Sequence, residues 1–180
     1  MDRKKKLKPF ILWLTGISAS GKSTLGDEFQ KKIYKYGYMN IKYIDGDQFR
    51  KEIKNFSYDK HSRDQVGDEK LKVAKKYIRK DYAVIVTGIA NNKNWRANAK
   101  LKNKNLIEVY LKCPVNKCVQ RDPKGQYKRA LNRELKNFVG VTEEYEEGET
   151  ADLTIETNKL SVEESLGKIM KLLKNKNIIV

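Results

Sequence analysis

The stretch ILWLTGISASGKSTL, residues 11–25, decides how the rest of the chain is read. An apolar run from Phe10 to Leu14 leads into GISASGKS, residues 16–23, and helical periodicity follows. This is the pattern G-x-x-x-x-G-K-[ST] in the strand, loop and helix context that gives it meaning. Glycine at positions 16 and 21 lets the backbone curl so that successive N–H groups converge on phosphate oxygens. The positive end of the following helix adds to them. Gly16, Ser18, Ala19, Ser20, Gly21, Lys22, Ser23 and Thr24 are the expected cradle. Lys22 is expected on the β- and γ-phosphates and the Ser23 hydroxyl on Mg2+, so ATP and Mg2+ are the implied ligands.

A length of 180 residues suits one domain with a sizeable core, and no Gly/Ser/Pro linker divides the chain, so 1–180 is read as a single domain. No apolar run approaches the roughly 18 residues of a membrane span. The basic start MDRKKKLKPF runs straight into the first strand, where cleavage of a leader would destroy the loop, so a cytoplasmic location is expected. The net charge of +16 raises the question of nucleic acid, but the lysines are scattered through every helix. They read as solvated faces with local basic clusters around an anionic site, not as a nucleic-acid surface. Cys113 and Cys118 lack companion ligands for zinc and read as packing residues, and His61 sits in a polar stretch with no partner for catalysis.

Apolar β-branched runs alternate with helical periodicity. Strands are expected at 10–15, 40–45, 82–88, 106–112 and 152–156. Helices are expected at 22–36, 46–54, 63–79, 94–102, 115–121, 127–134 and 161–174, the last opened by the capping box SVEE. This alternation implies an α/β fold with a parallel sheet and helices on both faces. Ligands in such sheets bind beyond the carboxyl ends of the strands.

Three further loops fall there. IDGDQFR, residues 44–50, puts two carboxylates around a glycine just after a strand. Asp45 is suited to take a proton from an attacking hydroxyl or to hold Mg2+, with Asp47 in support and Arg50 for an anionic acceptor; the same residues also make a good turn and helix cap. VIVTGIANNKNWR leaves its strand through Asn91 and Asn92 toward Trp95 and Arg96, which either clamp a substrate or belong to the core of a short helix. RDPKGQYKRALNRELKNF, residues 121–138, is basic and interrupted by Pro and Gly, as suits a lid. In it Arg121 is the candidate to neutralise transition-state charge.

Taken together, GISASGKST, IDGDQFR, IEVYLKCP, RDPKGQYK, LKNFVGV and SVEES resemble, in order and spacing, the adenylylsulfate kinases (APS kinases). The resemblance runs from Leu14 to about Leu173. The phosphate loop alone is generic; Asp-Gly-Asp combined with RDPKGxYK is far more specific. The resemblance implies the three-layer P-loop nucleoside triphosphate hydrolase fold with about five parallel strands. It also implies phosphorylation of the 3′-hydroxyl of adenosine 5′-phosphosulfate in sulfate assimilation, and a possible homodimer. By position, Asp45 resembles the catalytic base and a metal-side carboxylate, with Lys22 and Arg121 completing the catalytic set. Asp47, Arg50, Arg63, Asn91, Lys136 and Phe138 form the expected acceptor-binding set.

The departures cluster on the acceptor side. Gln48 stands where the family has Asn, Ser62 where it has Asp, Val66 where it has Asn, and Asp68 where it has a second Arg. GIANNKNWR replaces Ser-Phe-Ile-Ser-Pro-Tyr-Arg ahead of a shorter helix, and Val139 interrupts the expected Phe-Thr-Gly. Loss of an amide at 66 and reversed charge at 68, toward an anionic ligand, is the pattern a change of acceptor would leave. The alternative expectation is therefore the same chemistry on another nucleotide, such as cytidine diphosphoramidate in surface-polysaccharide synthesis.

Overall fold

The computed structural model describes residues 5–179. The first four residues of the basic start and the last residue of the tail lie outside that range. The element order is β1 (Ile11–Thr15), α1 (Lys22–Lys35), β2 (Ile41–Ile44), α2 (Gly46–Glu52), α3 (Lys60–Ile78), β3 (Ala83–Gly88), α4 (Lys93–Lys102), β4 (Leu106–Lys112), α5 (Val115–Arg121), α6 (Gln126–Leu131), β5 (Leu153–Glu156) and α7 (Val162–Asn175). The strands form one parallel sheet in the order β2-β3-β1-β4-β5.

β1 is buried along its whole length because it is the central strand, with partners on both edges and helices on both faces. Its side chains alternate between two cores. Leu12 and Leu14 join Phe29 and Ile33 of α1 and Leu166, Ile169 and Leu173 of α7. Ile11 and Trp13 join Phe49 of α2, Val66, Leu71 and Ala74 of α3, and Ala99 of α4. Ser161 caps α7 through the expected box, accepting from the Glu164 amide while Glu164 bonds back to the cap. α7 then buries Leu166, Ile169, Met170 and Leu173 along one stripe.

The two helix boundaries that lie three residues from expectation do so for identifiable reasons. α3 begins at Lys60, not 63, because the Asp59 carboxylate accepts from the Ser62 amide and starts the helix a turn earlier. α6 ends at Leu131, not 134, where Arg133 takes a positive φ of 62°. Parallel register brings Thr15 beside Gly88 and Ile44 beside Val86, so the loops that leave β1, β2 and β3 emerge at one edge.

Candidate active site

The loop after β1 turns on two glycines. Gly16 has φ +147°, and a Cβ there would lie 2.5 Å from the Leu111 carbonyl and 2.8 Å from Ser20 Oγ. Gly21 has φ +95° and caps α1 with no side-chain hydrogen bond, so no side chain covers the first-turn amides of that helix. Such an end attracts anions. Ser18, Ala19, Gly21, Lys22, Ser23 and Thr24 line a cavity of about 860 Å3, while Gly16 and the buried Ser20 support the loop from beneath. Lys22 Nζ donates to the Ile17 carbonyl at 2.5 Å, within its own loop. Burial pushes its ammonium down to about 8, so an anion in the loop would restore a charge that the fold disfavours.

Asp45 is the hub of the opposite wall. Its Oδ1 accepts from the Asp47 and Gln48 amides at 3.0 and 3.1 Å, capping α2. Its Oδ2 accepts from the Ser23, Thr87 and Tyr43 hydroxyls at 3.0, 3.2 and 3.3 Å. Burial raises its pKa, but the Gln48 amide and the Ser23 and Thr87 hydroxyls outweigh that and hold it below the ordinary carboxylate range. Thr87 Oγ1 also accepts from the Gly46 amide at 2.9 Å, so β3 fixes the Asp-Gly-Asp loop from behind. Sequence reasoning marked the exit of β3 as a ligand loop but did not single out Thr87 or Tyr43. Their roles appear only when three strands are set side by side.

On the acceptor side the expected residues separate. Arg50, Arg63, Lys136 and Phe138 line the cavity, as do Asp45 and Asp47. Arg50 is buried, donates to the Ser57 carbonyl at 2.7 Å and stacks 4.6 Å from the Tyr58 ring centre. Arg63 is paired with Glu143 at 2.6 Å and bonds the Asn137 carbonyl. Asn91 does not line the cavity: its amide donates to the Glu144 carbonyl at 3.2 Å and its side-chain oxygen meets Arg63, so it stands behind the wall.

The basic segment 121–138 is docked rather than open. Tyr127 is fully buried, donates to the Ser18 carbonyl at 2.9 Å and packs edge-on against Phe138. Asp122 caps α6 through the Tyr127 and Lys128 amides. Arg121 donates to the Thr157 carbonyl at 2.6 Å and lies 3.4 Å from the Ala19 carbonyl, at the lip beside the phosphate loop. The cation of this segment that spans the cavity is Lys124, which pairs with Asp47.

The structure places two further stretches read from the sequence. Asp68 does not face an anionic ligand; it accepts a 3.0 Å hydrogen bond from Trp95 Nε1. Trp95 lies 5.3 Å from the Trp13 ring centre and covers Gly67, where a Cβ would meet its ring at 2.4 Å. Arg96 is 3% exposed, pairs with the equally buried Glu108, donates to the Ala90 carbonyl and lies outside the cavity lining, so of the two alternatives the core packing is the one seen. His61 is exposed and bonds only Gln65, one turn along α3. Cys113 and Cys118 are buried and free, and burial pushes the Cys118 thiol up to about 12. Among the described residues no helix is long and apolar enough to cross a membrane.

Comparison with known proteins agrees with this geometry. The model of the adenylylsulphate kinase family matches residues 8–156. An adenylyl-sulfate kinase of Clostridium acetobutylicum is 37% identical over 180 residues, covering 99% of this chain and 90% of its own. A cytidine diphosphoramidate kinase of Campylobacter jejuni is 38% identical over 170 residues, covering 93% and 98%. The structure of an APS kinase of Mycobacterium tuberculosis in complex with AMPPNP and APS shares the fold with a TM-score of 0.86 at 24% identity, covering 94% of this chain and 99% of its own. With the phosphate loop and Asp45 at one cavity and the family match spanning most of its length, the chain belongs to the adenylylsulphate kinase family of phosphotransferases.

Proposed function

We propose that the protein transfers the γ-phosphate of ATP to the 3′-hydroxyl of adenosine 5′-phosphosulfate. The observation that carries this reading is the 3.0 Å contact between Ser23, on the phosphate loop, and Asp45, on the opposite wall of the same cavity. Phosphoryl transfer through a loose transition state asks mainly for positioning and charge. The loop amides and the α1 terminus hold the donor phosphates, and Lys22 leaves the Ile17 carbonyl for them. Asp45 orients the attacking hydroxyl. Its lowered pKa makes it a weak base in the ground state, which suits a proton that departs late. Ser23 and Asp45 offer hard oxygen donors close together, the set that Mg2+ takes alongside substrate phosphates and water, and the ion would neutralise developing charge. Lys124 and Arg121 close the cavity from the docked segment and exclude water. Arg50, Lys136 and Phe138 form the acceptor side, and Arg63, held by Glu143 and the Asn137 carbonyl, shapes its wall.

A second reading, phosphorylation of a cytidine compound, is favoured by one feature: the acceptor wall carries Val66 where the family has an amide, and Asp68, in place of an arginine, is tied up behind it by Trp95. ADP release with MgATP against APS, cytidine diphosphoramidate and plain nucleotides separates the two. Turnover with APS is the expected outcome. Turnover confined to the cytidine compound transfers the assignment to the second reading.

A further inference from the structure

The acceptor side contains a charge that the chemistry above does not use. Lys70 lies on α3 one turn after Val66 and one turn before Ala74, and all three are buried on the same face. Lysine is almost never fully buried without a partner, yet Lys70 is 4% exposed. Its Nζ donates to the Thr87 carbonyl at 2.8 Å and lies 5.9 Å from the Trp13 ring centre. It forms no ion pair among the described residues, whereas the nearby buried arginines Arg63 and Arg96 each have a glutamate. An ammonium carries three N–H donors, and the Thr87 carbonyl takes one.

The space around this ammonium is kept by backbone. A Cβ at Gly46 or at Gly88 would lie 3.1 Å from Nζ, and both glycines line the cavity together with Lys70 itself. Arg50 and Arg63 line it too, so three cations converge on one side, and only Arg63 has a carboxylate partner. Burial, and next the nearby Arg50, push the Lys70 ammonium down to about 7. Asp45 and Asp47 act the other way, but among the described residues no carboxylate bonds the ammonium, so an incoming anion would restore a charge that burial disfavours.

We infer that Lys70 is an acceptor-recognition residue: its ammonium takes an anionic oxygen of the acceptor, one of those of the phosphosulfate on the proposed reading. The inference rests on that reading for the name of the acceptor, though not for the charge it binds. It sets Lys70 apart from Lys22, which serves the donor phosphates from the other wall.

The test is Lys70→Met, which keeps the apolar stem and removes the charge. Binding of APS and of inorganic sulfate is measured by titration calorimetry on protein saturated with a non-hydrolysable ATP analogue, alongside thermal melting. In the variant, affinity for both anions falls about tenfold to hundredfold, the scale of a lost charged hydrogen bond. Affinity for the ATP analogue stays within about twofold, and Tm is unchanged or raised because a buried charge has gone. A lysine that merely braced the Thr87 carbonyl would lower Tm and leave anion affinity alone, which overturns the inference. If wild-type protein binds sulfate but not APS, the proposed acceptor fails, and the sulfate comparison alone decides the role of Lys70. Wild-type protein that binds neither anion also overturns it.

Discussion

The two sides of the cavity are built by different means. The donor side is contiguous: residues 16–24 make it, mostly with backbone, through two glycines at positive φ and one helix terminus. The acceptor side is assembled from distant side chains. Asp45 meets Thr87 across 42 positions, and Arg63 meets Glu143 across 80. A backbone site depends on its own few residues and shows in the sequence as a motif. A side-chain wall changes by pairs, each substitution answered elsewhere, so a position read singly misleads. Asp68 read alone is a reversed charge against a ligand; read with Trp95 it is a hydrogen bond that seats the indole ring over Gly67.

Asp45 joins the two sides, so its replacement should give the largest effect. Asp45→Ala removes the group proposed to orient the acceptor and also uncaps α2. We expect kcat to fall about 10³-fold, within the range for a positioned acid–base group. Stability should fall by about 1 kcal/mol from the lost cap. Asp45→Ser separates the two roles, because serine still caps: urea unfolding should return near to wild type while kcat stays low. Recovery of kcat in the serine variant would mean that the Asp-Gly-Asp loop acts only as a turn.

The next test concerns which side Arg63 serves. Sequence resemblance assigns it to the acceptor, yet in the structure its guanidinium is held by Glu143 and the Asn137 carbonyl. Glu143→Gln leaves a guanidinium with 4% exposure and no counter-charge, while Glu143 itself is 24% exposed. Removing one partner of a buried pair is costly; discounted for that partial exposure, about 2 kcal/mol of stability should be lost. The acceptor KM should change less than about threefold, below the effect of losing a charged hydrogen bond. Unchanged stability with a large change in KM would show that Arg63 belongs to the ligand and that its pairing with Glu143 is incidental.

The legibility of the chain follows the same division. All five strands and the phosphate loop could be read because β-branched runs and the G-x-x-x-x-G-K-S spacing are local signals. Arg50 and Phe138, expected on the acceptor side, line the cavity. Tyr43 and Thr87 carry no local signature, since a hydroxyl near a strand end looks the same whether or not a carboxylate faces it. Lys70 did leave a trace: it interrupts the buried stripe of Val66, Leu71 and Ala74. In a chain with 39 Lys and Arg residues, that trace is lost among solvated lysines. Segment 121–138 suits a lid by its charge and its Pro and Gly; Tyr127, an aromatic buried against the phosphate loop, anchors it in a way those local signals do not show.

The smallest effect should come from the departure that looked most consequential in sequence. Asp68→Ala removes the acceptor of the Trp95 indole N–H, in a contact at the protein surface. A hydrogen bond of this kind contributes about 1 kcal/mol. Because the indole N–H regains water when the carboxylate is gone, the loss should not exceed that. Trp95 itself stays seated, since its ring is held by Trp13 and by the bare backbone of Gly67. The acceptor KM should therefore remain within about twofold of wild type, because no charged contact to ligand has been lost. Gly67→Ala provides the contrast: its Cβ would enter the Trp95 ring, so the wall must move and KM must move with it. If Asp68→Ala shifts KM as far as Gly67→Ala does, the carboxylate acts on the acceptor directly and the pairwise account of the wall is wrong. If only Gly67→Ala does so, the acceptor side is shaped by how Trp95 packs, and the carboxylate at 68 serves that indole rather than the acceptor.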